Sequence, residues 1–527
     1  MKSRSSGFKS EKLEAEPMKT NWVQKLVGVA AVVLAMAGTS YGTIYYWSAT
    51  PANEEYTNLN NWKTLTVPLA TDDAYFTNWM SQTVKVSTPI TNRYCRVYGG
   101  TYTFDQPGSN LFVNLLGVGN TAAQGANTNT MIFSGNTYVT VGSGQSGVNI
   151  KDATQAGTHV LKLLNGAKIV SASLAALNGG LYHGGFANRT GDTNIFIIDG
   201  AGSRSDFTSI TMSANSLNAL YLTNGGAIGV FNSGYSFYMN HLTANKSLVH
   251  KCLAVVGGGS PASVANVGYL FINQLGNTVA NWEIQPAGVA KTNTSEMVIL
   301  ANGLVSAKNN VSIYPGGTLT LSGGQLALLD SGVYGVLLNY GMIQGAGEIL
   351  LQKNGGIQNI TLATITNASN VAAYGEIAPG SAGVAGTIVV SNYTQTVTFP
   401  TWLEVRPGCK LKFDLGGASV AQYDRILCTN MYVYLGAGTN ASTYTVQGGA
   451  IIDVALMNGW QPSGEATFDV LSAKDIMDTS LAPVTFNYPT QPAGYTWSAS
   501  IVTNINNEVL RITAKSSAPK GTVITVW

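Results

Sequence analysis

The chain has 527 residues, of which 60 are glycine and only 10% are Asp, Glu, Lys or Arg, and its formal net charge is +2. Charge this sparse and balanced excludes the concentrated basic surface that nucleic acid requires, and four cysteines are too few to staple a scaffold. Glycine together with abundant Thr, Ser and Asn favours strands and tight turns over helices.

Residues 18–42 read as a secretory signal. Lys19 and Lys25 supply the basic region, residues 26–36 the apolar core, and Ser40-Tyr41-Gly42 a small-x-small cleavage site. The apolar run is short against the ~20 residues needed to span a bilayer, so export is expected in preference to anchoring, with no membrane span in the mature chain. Met18 is a second candidate start. Residues 1–42 carry six of the 28 basic side chains and three of the 26 acidic ones, leaving 22 against 23 in the mature chain.

An N-terminal β cap is expected over residues 43–109, a β-helix over 110–400, and a C-terminal β cap or small β domain over 401–527. The central segment is a succession of short alternating runs broken by Gly, Asn and Ser. The run around Leu161, with its corner at Asn165-Gly166, is echoed by Leu220 with Asn224-Gly225, by Val311 with Gly316-Gly317, and by Val336 with Gly341. Each copy is a strand, a corner and a second strand. Asn and Gly tolerate the left-handed backbone that such corners demand. A unit of this kind cannot bury its apolar face alone, but stacked coils of about 25 residues share one interior, the logic of a solenoid. The fold class expected is all-β, a right-handed parallel β-helix. A pair of β-sandwiches is the competing arrangement, and it calls for more charge on its open faces.

Several segments resemble autotransporter passenger domains and exported proteins with the autotransporter-associated β-strand repeat. They are Asp199-Gly-Ala-Gly-Ser203, Ile377-Ala-Pro-Gly-Ser381 followed by Gly386-Thr-Ile-Val-Val390, and the opening Trp47, Asn61-Trp62 and Asp72-Asp73. In the C-terminal third, Tyr423-Asp424-Arg425-Ile426 and Pro492-Ala-Gly-Tyr495-Thr-Trp497 are similar to the same group. The resemblance implies a β-helix displayed at the cell surface or secreted. The run of strands that would build a membrane barrel is missing after Trp402, so self-translocation is not expected.

The residues that could carry chemistry are scattered. Folds of this kind also host polysaccharide lyases and hydrolases, whose sites gather carboxylates on one coil face beside a basic residue. Here Asp72-Asp73 reads as turn chemistry. Asp192, Asp199 and Asp206 near His183 and Arg204 are the nearest approach to a cluster, and Asp199 also suits a corner before Gly200. His159, His183, His241 and His250 have no metal-ligand spacing and are expected in solvent or at corners. No cofactor or metal site is expected. Cys409 and Cys428 lie on consecutive predicted strands and are expected inside, either as a disulfide or as two thiols filling core volume. Tyr45, Tyr46, Trp47, Tyr235 and Tyr238 are either a contact surface for sugar rings or a partner, or packing for the cap and corners. The function expected is therefore structural or adhesive, without catalysis. Its partners would be envelope or extracellular components, glycans or further copies of the chain; the alternative is a carbohydrate-active β-helix enzyme.

Overall fold

Alternation in the strands and positive φ at the corners together wind the chain into stacked coils. In the computed structural model, which describes residues 42–105, 109–119, 128–142, 147–150, 157–171, 181–183, 192–207, 209–213, 216–230, 236–241, 251–267, 269–272, 294–328, 335–351, 355–359, 361–362, 373–381, 383–392, 401–436, 449–477, 484–490 and 494–516, almost every strand pairs in parallel with its counterparts one coil before and one coil after. Three such columns form, and the chain visits them in the same order in each coil. The first runs from Ser81–Lys85 through Thr158–Leu164 and Thr294–Leu300 to Thr485–Asn487. The second includes Lys168–Ser171, Ser263–Val267 and Arg425–Thr429. The third runs from Ile44–Tyr46 through Tyr269–Ile272 to Asp475–Met477. The protein is a three-sided parallel β-helix.

The expected corners are in place. Asn165 and Asn224 adopt φ of 54° and 52°, and Gly166 and Gly225 follow at 97° and 87°. A serine from the next coil caps each of these turns: Gly166 N–H donates to Ser203 Oγ at 2.9 Å, and Gly225 N–H to Ser263 Oγ at 3.2 Å. Coil length is less regular than the repeat predicts. Ser81 pairs with Thr101, 20 residues on, whereas Lys251 pairs with Thr294, 43 residues on. The parallel pairing from coil to coil is kept, with a few local register shifts, while the connections absorb most of the difference.

The interior is built from rows in register. Val84, Phe104, Phe133, Leu163, Ile198, Leu222, Val256, Ile299 and Leu321 stack one above another in the first column, all buried. Each such side chain contributes about 1.5–3 kcal/mol through burial, and each depends on its immediate neighbours. Beside that row runs a polar one: Asn129, His159, Asn194, Asn218, Cys252 and Ser295 are register partners and all buried. Asn194 Nδ2 donates to Asn218 Oδ1 at 3.0 Å, and Asn129 Nδ2 lies 3.0 Å from His159 Nδ1. His159 is thus an interior residue, not a solvated or corner one, because its place in the strand points inward.

The ends are closed differently. At the N-terminal end Trp47, Tyr56, Trp62 and Phe76 form a buried plug, with Trp47 and Trp62 edge to face at 5.2 Å and Trp62 Nε1 donating to the Tyr56 carbonyl at 2.9 Å. At the other end Glu508–Ser516 pairs antiparallel with both Ala466–Ala473 and Tyr495–Thr503, covering the edge of the second column. The columns do not stop at residues 110 or 400. Ile90–Val97 already lies in register with Asn110–Val118, and Lys410–Leu415 pairs with Ile451–Leu456. The helical stack therefore takes in much of both segments expected to be caps.

Candidate interaction face

An outward side chain in one coil lies above its register partner in the next, so similar residues at similar positions build continuous rows on the surface. The outer face of the third column collects aromatic rings in this way. Near its N-terminal end Tyr46, Tyr75 and Arg96 are register partners, beside Asp73 and Tyr94. In the middle Tyr238, Phe271, Tyr314 and Tyr340 follow one another with near-parallel rings, the centroids 5.1, 6.4 and 5.8 Å apart. Towards the C-terminal end Trp402 pairs with Tyr432, and Glu404 with Tyr434. The other two outer faces are different in kind: the first column bears Thr, Ile, Val and scattered charge with Tyr221, and the second bears Phe112 and Tyr138.

The backbone makes room for these rings. A Cβ on Gly356 would lie 2.3–2.5 Å from the Trp402 indole, so glycine at that position lets the ring lie flat against the preceding coil. Lys474 Nζ stands 5.1 Å from the Tyr432 ring centroid. Glu404, 1% exposed, is held by Arg406 at 2.8 Å and by Gln358 at 3.4 Å.

The contact residues expected from sequence are partly redistributed. Tyr46 is on the outer face and 37% exposed, Tyr45 is partly buried against the core, and Tyr238 is in the aromatic row. Trp47 is not a surface residue: it is fully buried in the plug, because its strand alternation turns it inward. Tyr235 lies outside the described residues, as do residues 1–41 with the expected signal. Sequence reasoning missed Tyr75, Tyr94, Trp402 and Tyr432. Aromatic residues at matching positions of successive strands were the signal that could have found them.

Cys409 and Cys428 are both buried and outside any disulfide, as are Cys95 and Cys252. Cys409 precedes a first-column strand, whereas Cys428 lies on a second-column strand, so the two sit on different walls of one coil. Burial pushes the Cys428 thiol up to about 12, and Cys95 likewise, which leaves them poor nucleophiles.

The carboxylates serve the fold. Asp72 accepts the Leu69 N–H at 2.9 Å, the turn role expected of it, while Asp73 forms a two-pronged pair with Arg93 at 2.7 and 2.9 Å. Asp206 pairs with Arg204, and Asp199 accepts from Thr223 and Asn224 of the next coil, so the two do not converge. Among the described residues no group of three or more His, Cys, Asp or Glu side chains could hold a metal ion, and no helix is long and apolar enough to cross a membrane. No protein-family model matches the chain, and no curated protein matches it either.

Proposed function

We propose that the protein is an exported structural or adhesive β-helix that works outside the cytoplasm by presenting one aromatic-lined wall to a partner, and not by catalysis. The observation that carries this reading is the concentration of outward rings on the third column, from Tyr46 at one end to Tyr434 at the other. Aromatic faces with a polar rim suit sugar rings and protein surfaces alike, and a rigid wall presents them without the entropic cost of ordering loops. Envelope or extracellular glycans are the partners this surface fits best. The engagement of Asp73, Asp206, Glu404 and Asp469 in ion pairs with arginine supports a binding role over an acid–base one.

The test combines location with retention. The full chain should be recovered outside the cytoplasm, and isolated envelope or extracellular material should retain it several-fold better than a folded Trp402→Ala/Tyr432→Ala variant. Cytoplasmic recovery, or equal retention of the two proteins, would sink the reading.

A further inference from the structure

Arg96 is set apart from the other paired arginines. Arg93, Arg204, Arg406 and Arg511 each hold a carboxylate within 2.8 Å. Arg96 makes no ion pair among the described residues. Its Nη1 donates to the hydroxyls of Tyr98 at 2.7 Å and Tyr75 at 3.4 Å, and its Nε is buried with no hydrogen-bond partner. Its guanidinium carbon lies 4.7 Å from the Tyr94 ring centroid and 5.7 Å from that of Tyr75.

The surroundings hold this cation in place. Gly117 is its register partner in the next coil, and a Cβ there would come within 3.1 Å of Arg96 Cγ, so the glycine gives the arginine stem room to lie across the wall. Tyr75 and Tyr98 meet edge to face at 4.9 Å, and Tyr46 meets Tyr75 in the same way at 5.9 Å. Lys63 Nζ stands 5.6 Å from the Tyr46 ring and has no ion pair among the described residues. Asp73, the nearest acid, is already taken by Arg93. The partly exposed patch thus holds two cations without a direct ion pair among the described residues, set among tyrosine rings, with Asp73 reached from Arg96 only through the Tyr75 hydroxyl at 3.4 Å on each side.

We propose that this patch is a subsite for a polysaccharide whose sugar rings carry carboxylates, with Arg96 as the anion contact and Tyr46 and Tyr75 as ring contacts, the Tyr94 ring being taken by the Arg93 and Arg96 guanidiniums. The inference rests on the adhesive reading above and names its ligand class. With Nη1 donating to the two tyrosine hydroxyls and Nε buried, Nη2 is the guanidinium donor left for a carboxylate, and a partly desolvated cation gains more from such a partner than an exposed one. The rings favour a sugar chain over a bare anion, because a uronate presents a C–H face beside its charge.

The test is calorimetric binding of the full chain to oligogalacturonate, its methyl ester, neutral dextran oligosaccharides and poly-glutamate. Oligogalacturonate should bind, with the ester at least about tenfold weaker, as loss of one charge-assisted contact implies. Arg96→Gln should lose a similar factor, Arg96→Lys should retain part of the affinity, and Tyr46→Ala, at an exposed ring, should weaken binding without unfolding the chain. Should Arg96→Gln fail to fold, the ester comparison and Tyr46→Ala decide. Equal binding of acid and ester, equal binding by Arg96→Gln, poly-glutamate binding as tightly as the uronate, or no uronate binding each overturns the subsite. If neutral dextran or the ester is bound as well as the acid, only the subsite falls; if envelope retention also fails to depend on Trp402 and Tyr432, the adhesive reading falls with it.

Discussion

The Asp424 carboxylate accepts the backbone N–H of Gly386, in the neighbouring coil, at 2.9 Å, and with its other oxygen the N–H of Asp414 at 2.9 Å. One buried side chain thereby ties Gly386, just beyond the corner where φ of Gly380 is 81°, to the coil above it. A Cβ on Gly380 would meet Asp424 Oδ1 at 2.5 Å, so corner and carboxylate are fitted to each other.

Burial raises the Asp424 carboxyl to about 7, against the lowering effect of the two backbone donors and Lys412. A folded-state value above the unfolded one means that this group's contribution to stability is fully present below about pH 4 and is lost as pH rises through about 7. The unfolding free energy should therefore decline across that window, and Asp424→Asn should flatten the decline. At acidic pH the Asp424→Asn variant should be less stable than the parent by about 1–3 kcal/mol, because the amide Nδ2 cannot accept a backbone N–H. Denaturant titrations between pH 4 and 8 measure both effects, and parallel curves for the two proteins would contradict the assignment.

The four cysteines should behave as interior thiols. Ellman's reagent should react with almost none in the native protein and with all four under denaturant, and dithiothreitol should leave the melting temperature unchanged. A drop in melting temperature on reduction would show a bridge between Cys409 and Cys428.

Within the polar row, Asn218→Ala removes the acceptor for Asn194 Nδ2 and the donor that reaches Cys252 Sγ at 3.9 Å. A cost of about 1–3 kcal/mol is expected from the stranded amide alone, with more from the void. Thr223→Ala is the comparison: it removes a hydrogen bond to Asp199 at a partly exposed position and should cost less than about 1 kcal/mol. Chemical denaturation of the two variants should rank them in that order.

Gly356→Ala should drive the Trp402 ring off its neighbour coil. A loss of about 1–3 kcal/mol is expected from the overlap, together with a change in tryptophan emission, because the indole must move out towards solvent. An unchanged spectrum and stability would mean that the ring does not rest on that backbone.

Much of the fold was legible in the sequence because its determinants are local. Asn165-Gly166 and Asn224-Gly225 announce corners through backbone preference, and period-two alternation announces which side chains face inward. Alternation does not say which wall a strand joins, and that is why Cys409 and Cys428 could be placed inside but not apart. Nor does it separate a plug from a platform: Trp47 and Tyr46 are adjacent and aromatic, yet one is buried and the other is on the outer face. The polar row was readable in retrospect, since Thr128-Asn129, Thr158-His159 and Thr193-Asn194 repeat one position in successive strands. The strands of 401–477 pair in the same way and carry an Asn458-Gly459 corner with φ of 50° and 69°, but this lone copy is not followed by the strand–corner–strand echo that marks the central coils.

The persistence of parallel pairing beneath variable connections bears on how such a chain can change. Insertion of material between strands, as between Lys251 and Thr294, lengthens an excursion without disturbing the stack, whereas a single-residue slip inside a strand would turn every aromatic of that layer inward. A chain built this way can lengthen its connections without altering the order of side chains along each wall.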